Sequence, residues 1–274
     1  MNNPALMEEL QAIQRWPAEH VAAAVLSPAG EAAVGDRERP FELASVTKLI
    51  SAYAVLLAVE EGALELDDPC GPAGSTVRHL LAHASGVAFD TREVLKAPGE
   101  RRIYSSAGYE WLADALTERT EIPFREYLRE GVCEPLGMHS TALEGSAGHG
   151  AVSTLGDLVL FAQELLAPRL LSEQTLREAF SVQFSELRGI VPGYGMYKPC
   201  PWGLGFEIHG EKSQHWMGEN MPARTVGHFG MAGTYLWVEP GSAKAMVLLT
   251  DRKFGPWAQP LWAETNERIW AALS

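Results

Sequence analysis

Apolar residues recur at helical spacing at the start of the chain. Leu6, Leu10, Ile13 and Trp16 mark one face of a short amphipathic helix over Ala5–Trp16. The run His20–Leu26 is almost wholly apolar and ends in Ser27-Pro28-Ala29-Gly30, which predicts a strand and a turn. A second strand over Glu31–Val34 would close the hairpin. From Ser45 the pattern turns helical: no charge interrupts the stretch between Lys48 and Glu60, and it stops at Gly62. A helix apolar nearly all round belongs in the interior. Beyond it, helical stretches alternate with Gly/Pro loops at Thr76–His83, Tyr109–Thr117, Phe124–Glu130, Leu155–Leu166 and Ser172–Phe180, with Thr76 and Ser172 as N-caps. Strand patterns then return at Gly203–His209, Thr225–Phe229, Thr234–Val238 and Ala245–Thr250, with Glu239-Pro240-Gly241-Ser242 turning between the last two. An amphipathic helix, Trp262–Ala272, closes the chain. Strands at both ends and helices between predict an α+β fold. Residues 1–64 and 196–274 build one sheet region, a mainly helical region over 65–195 is inserted, and the whole is one compact catalytic unit.

Composition narrows the function. The 274 residues are 46% hydrophobic and 21% charged, a globular balance. A net charge of −13 argues against a nucleic-acid partner, which needs clustered Lys and Arg. No apolar run approaches the roughly 20 residues of a membrane span. The first residues carry Glu8 and Glu9 and no basic segment ahead of an apolar one, so they do not read as a signal peptide, and a cytoplasmic location is expected. Cys70, Cys133 and Cys200 are far apart with no C-x-x-C, which suits packing thiols rather than a disulfide framework or a zinc site. His79 and His83 stand four residues apart on a predicted helix, but no H-E-x-x-H glutamate lies between them. No metal and no cofactor is expected. Asp67-Asp68 reads as a loop, and the tryptophans as core or pocket walls.

Three segments could carry chemistry. In Ser45-Val46-Thr47-Lys48 the hydroxyl and the amine share one helix face. At a first helical turn Ser45 would also have free backbone N–H groups nearby. A serine becomes nucleophilic when a base takes its proton, and Lys48 can do so if burial lowers its pKa. Tyr104-Ser105-Ser106 follows Arg101-Arg102, and a phenol near cations can be tuned toward the phenolate. In Gly227-His228-Phe229-Gly230-Met231-Ala232-Gly233, glycines in and after a strand allow close approach of a ligand, and a free N–H there could complete an oxyanion hole.

Together and in this order, the three segments resemble the serine β-lactamase and penicillin-binding-protein family, with its S-x-x-K, Y-x-N and K-T-G-type motifs. Tyr104 points to the branch of class C β-lactamases, D-alanyl-D-alanine peptidases and family VIII esterases. Phe41-Glu42-Leu43-Ala44, the segments Val77–Gly86, Glu134–Met138 and Trp202–Phe206, and the helix start at Ser153–Leu158 are similar to that branch too. The resemblance covers roughly residues 18 to 274. It implies a β-lactamase/transpeptidase-like fold: an antiparallel sheet flanked by helices, with an inserted helical region. It implies that Ser45 is the nucleophile, Lys48 its proton partner and Tyr104 a shared general acid and base. The oxyanion hole would be the N–H groups of Ser45 and Met231, with Ser106, His228 and Gly230 beside the substrate.

Two positions depart from the family pattern. The asparagine of the second motif is Ser106, which cannot donate and accept over the same reach. The lysine of K-T-G is His228, charged only below a reference pKa of about 6.5. Both favour hydrolysis of a small-molecule ester or amide over β-lactam or peptide turnover. A β-lactamase or D-alanyl-D-alanine peptidase is the first alternative, though such enzymes work outside the membrane. A catalytically silent binding protein of the same fold is the second, against which the intact Ser45, Lys48 and Tyr104 count. The oligomeric state cannot be read from the sequence.

Overall fold

A computed structural model describes residues 3–273; residues 1, 2 and 274, the outermost ends of the expected sheet region, lie outside it. Helix α1 (Pro4–Ile13) leads into strands β1 (Val21–Ser27) and β2 (Gly30–Val34). After β3 (Phe41–Glu42), a 3-10 turn (Ala44–Val46) runs straight into α2 (Thr47–Glu60). The middle of the chain carries α3 (Val77–Leu81), α4 (Ala107–Thr120), α5 (Phe124–Leu128) and α6 (Glu134–Leu136), the last two joined by a π-turn. Strands β4 (Ala142–Leu143) and β5 (Ala151–Ser153) precede α7 (Leu155–Leu166) and α8 (Glu173–Ala179). A hairpin of β6 (Gly189–Val191) and β7 (Gly195–Tyr197) follows. Strands β8 (Glu207–Ile208), β9 (Val226–Gly230), β10 (Thr234–Glu239) and β11 (Lys244–Thr250), then α9 (Ala258–Ala272), end the fold.

The main sheet is six-stranded and antiparallel, in the order β2-β1-β11-β10-β9-β8. Its centre joins the two ends of the chain: β1 pairs with β11 from Val21 opposite Thr250 to Leu26 opposite Ala245. Side chains alternate across it. Ala22, Ala24, Leu236, Val247 and Leu249 face one core with α2 and α7. Ala23, Val25, Tyr235, Trp237 and Leu248 face another with α1 and α9. Both faces are covered, so the strands read as continuous apolar runs rather than alternating ones. Helix α1 starts at Pro4 with Asn3 as cap, its Oδ1 accepting from Leu6 N–H at 3.1 Å. Thr76 and Ser172 cap α3 and α8 as the sequence predicts.

Four features differ from the sequence reading. The strand predicted at Gly203–His209 shrinks to Glu207–Ile208. Gly205, at φ +93, folds its stretch into a tight bend, and a Cβ there would meet Ala52 Cβ at 2.2 Å. The three-stranded sheet β3-β5-β4 and the β6–β7 hairpin were not expected, their strands being only two or three residues long. His83 lies beyond the end of α3 at φ +55, so it shares no helix face with His79.

Candidate active site

The predicted first turn of the long helix is shifted. Ser45 sits on the 3-10 turn just ahead of α2, and the α-helix begins at Thr47. Its neighbour Ala44 is held at φ +45, a conformation a non-glycine residue adopts only when its surroundings enforce it. The enforcement comes from β9. A Cβ at Gly230 would lie 2.2 Å from the Leu43 carbonyl oxygen and 3.2 Å from Ala44 Cβ, and Thr234 Oγ1 donates to that carbonyl at 2.9 Å. Gly230 therefore admits the chain's own backbone, where the sequence reading expects a ligand.

Lys48 lies one turn along and is wholly buried. Its Nζ donates to Ser45 Oγ at 3.2 Å, Ser106 Oγ at 2.9 Å and the Gly148 carbonyl at 2.7 Å. Burial lowers its pKa to about 7, against a small upward pull from Glu110. The apolar environment expected of α2 has this effect on its one lysine. The Gly148 carbonyl arrives because β5 pairs with β3, while Ala151 N–H donates to Thr47 Oγ1 at 3.0 Å. A Cβ at Gly148 would be 3.0 Å from Ser106 Cβ, so glycine lets the loop close on the lysine.

Tyr104 overlies this group, with Lys48 Nζ 4.7 Å from its ring centroid. The expected tuning toward phenolate does not occur. Burial raises the Tyr104 pKa well above the ordinary range, outweighing the hydrogen bond with Ser45. The arginines before it do not help: Arg102 is spent on the carbonyls of Cys200, Ala82 and Gln183. Tyr104 is instead packed by His83, at 4.6 Å between rings, and His83 Nδ1 accepts from Ser105 N–H at 3.2 Å.

His228 stands on β9 and faces Tyr104, with ring centroids 5.5 Å apart. Its Nδ1 lies 2.6 Å from the Phe229 carbonyl, which can only accept, so Nδ1 carries the proton and Nε2 is a bare acceptor. Nε2 is buried with no hydrogen-bond partner among the described residues. Burial first, then the nearby Lys48, lowers the His228 pKa to about 4. The expected protonation near 6.5 is thereby displaced, and the ring is neutral at physiological pH.

A cavity of about 40 Å³ at Ser45 is walled by Tyr104, Trp202, Glu207, His228 and Met231 among others. The sequence reading missed Glu207, Gly148 and the role of His83. Glu207 is fully buried; it accepts from His215 Nε2 at 2.7 Å and Trp216 Nε1 at 2.8 Å, with Lys212 Nζ at 3.2 Å. Burial alone would raise its pKa; the attraction of His215 and Lys212 wins and holds it below the ordinary carboxylate range. Glu207 and Gly148 lie in no local motif, and their only sequence signals are an isolated polar residue in an apolar stretch and a glycine-rich loop; His83 lies within the Val77–Gly86 segment, which gives no sign of its place against Tyr104.

An antiparallel sheet covered on both faces, with a serine and a buried lysine under an inserted helical region, defines the β-lactamase/transpeptidase-like class. The sequence model of the family described as Beta-lactamase matches residues 22–267. The chain belongs to the β-lactamase family. It is similar to the crystal structure of a beta-lactamase from Mycobacterium bovis: 49% identity, TM-score 0.95, covering 97% of this chain and 99% of that one. It also resembles EstCE1, described as a hydrolase with promiscuous acyltransferase activity, at TM-score 0.78 and 17% identity over 98% of each chain. Among curated proteins, D-alanyl-D-alanine-carboxypeptidase/endopeptidase AmpH of Escherichia coli K12 is 26% identical over 154 residues, 41% of this chain and 40% of that protein. The chain thus spans about two fifths of the length of that relative.

Proposed function

We propose that the protein is a serine hydrolase that cleaves a small ester, or less readily an amide, through an acyl-enzyme on Ser45. The observation that carries the reading is the buried Lys48 amine, with its pKa lowered to about 7, donating to Ser45 Oγ at 3.2 Å. Near neutrality about half of such an amine is unprotonated and can take the serine proton. Ser45 Oγ then bonds to the substrate carbonyl carbon. The backbone N–H groups of Ser45 and Met231 are assigned to the developing oxyanion. Tyr104, a neutral phenol, gives its proton to the leaving oxygen as the carbon–oxygen bond breaks, and the proton held by Lys48 restores the phenol. Water then attacks the acyl group, passing one proton to this pair, and Ser45 Oγ leaves with a proton returned to it.

Ser106 supports an ester preference. Its hydroxyl is turned inward to Lys48 and offers no amide to a substrate. The neutral His228 supports it too, since it puts no permanent cation on β9, where the family's K-T-G lysine would stand. A second reading, a β-lactamase, is favoured by the description of the M. bovis protein. Hydrolysis of p-nitrophenyl acetate against nitrocefin separates the two, with Ser45→Ala as control. Intact-mass analysis with a slow ester should show one acyl adduct on the wild type and none on Ser45→Ala. Turnover should fall by roughly 10⁴ in the variant. An adduct that persists on Ser45→Ala defeats the assignment.

A further inference from the structure

We propose that the apolar groove outside the Ser45 cavity binds the leaving-group half of the substrate, and that this half is a hydrophobic alcohol carrying a carboxylate held by Arg101. The groove measures about 500 Å³ and is lined by Phe89, Leu95, Ile103, Ile190 and Pro192, with Tyr104 and the two arginines. Phe89, Leu95 and Ile190 are each about half exposed, at 52%, 49% and 50%. Large apolar side chains left in water around one concavity mark a binding surface. The groove is built by the stretch before Tyr104 on one side and β6 on the other, held together where Arg102 N–H donates to the Arg188 carbonyl at 3.0 Å.

Phe89, Tyr104 and Pro192 line both the groove and the cavity at Ser45, so the two are continuous. The inner cavity, at about 40 Å³, has room for an acetyl-sized group and little more. A substrate with its carbonyl at Ser45 must place its larger half in the groove. That half is the alcohol, because the path into the groove passes Tyr104, where the leaving oxygen is protonated. This assignment of halves rests on the acyl-enzyme reading; the binding of a carboxylate in the groove does not.

The carboxylate follows from Arg101. Every polar use of Arg102 is internal. Arg101 lines the groove, its Nε is buried with no acceptor, and its guanidinium has no hydrogen-bond or ion-pair partner among the described residues. The adjacent Glu100 is taken by Lys96 at 2.8 Å. A buried donor without an acceptor is costly, and an arginine fork matches a planar carboxylate. In a chain of net charge −13 most arginines on the surface meet acids; this one meets an apolar groove.

The test uses acetate esters of para-hydroxyphenylacetic, hydroxyphenylpropanoic and hydroxyphenylbutanoic acids, each beside its primary carboxamide. At one chain length at least, the acid should show a KM about ten-fold below its carboxamide. Arg101→Gln should abolish that difference, and Arg101→Lys should keep part of it. Calorimetry with the free hydroxyphenyl acids and amides, which need no turnover, should give the same ranking. Equal affinity for acid and amide throughout the wild-type series, or equal weakening of both by Arg101→Gln, overturns the proposal. Arg101-dependent binding of the acids without Ser45-dependent turnover of the esters would leave the groove standing and remove the acyl-enzyme reading. Ser45-dependent turnover with no acid preference would do the reverse.

Discussion

Lys48 is the residue on which the pH behaviour turns. Its pKa lies near 7 in the fold, against about 10.5 ordinarily, so the amine loses its proton as pH rises through neutrality. Activity that needs the free amine is absent below that value and full above it. The kcat/KM for a neutral ester should rise between pH 6 and 8 with a midpoint near 7, and Lys48→Met should remove both the rise and most of the rate. A profile flat across that range would mean that Lys48 is not the base. His228 makes a contrasting case. With a pKa lowered to about 4 it gains a proton only in strong acid. The pH dependence of KM for nitrocefin between about 6 and 8 should therefore have the same shape in His228→Gln as in the wild type, any dependence there belonging to Lys48. Flattening of the curve in the variant would show that the imidazolium forms in place. The spacing of Ser45 and Lys48, and the apolar stretch that buries the amine, are legible in one dimension. The state of Tyr104 and His228 is not, because the groups that desolvate them come from distant segments. The Gly148 carbonyl is less legible still, since a backbone oxygen carries no residue signature.

At the scale of elements, the site depends on how closely β9 approaches the turn that bears Ser45. Gly230 has no room for a methyl group against the Leu43 carbonyl, 2.2 Å from an added Cβ. Gly230→Ala should push the strand away from Ala44 and Ser45, at a stability cost of about 1–3 kcal/mol. It should lower kcat more than it raises KM. Circular dichroism and thermal melting, read beside ester kinetics, distinguish this from simple unfolding; a fully active, fully stable variant would show that the close approach is not needed. The long buried strands and helices announce themselves by apolar runs and caps. The β6–β7 hairpin does not, because its strands are three residues long, Ile190 and Met196 are exposed, and only Gly189 and Val191 of these six positions are buried. The small sheet that brings Gly148 to Lys48 has strands of two and three residues, too short for any period to appear.

For the molecule as a whole, the pairing of β1 with β11 also sets an order in time. The strand nearest the start of the chain has its central partner at Lys244–Thr250. During synthesis at about 5–20 residues per second, β1 and β2 must wait roughly 10–45 s for that partner to leave the ribosome. For that interval the hairpin has an open, wholly apolar edge and no covering for either face, while α2, with its lysine, also lacks the sheet it packs on. Nascent chains halted before Lys244 should be rapidly cut by protease and held by chaperones, and released chains that include α9 should become resistant. Equal resistance in both would mean that the early segments fold without the late strand. On this view Ser45 cannot be set beside its strained neighbour until β9 and the strands after it arrive, so the unfinished chain carries the proposed nucleophile without the surroundings that would activate it.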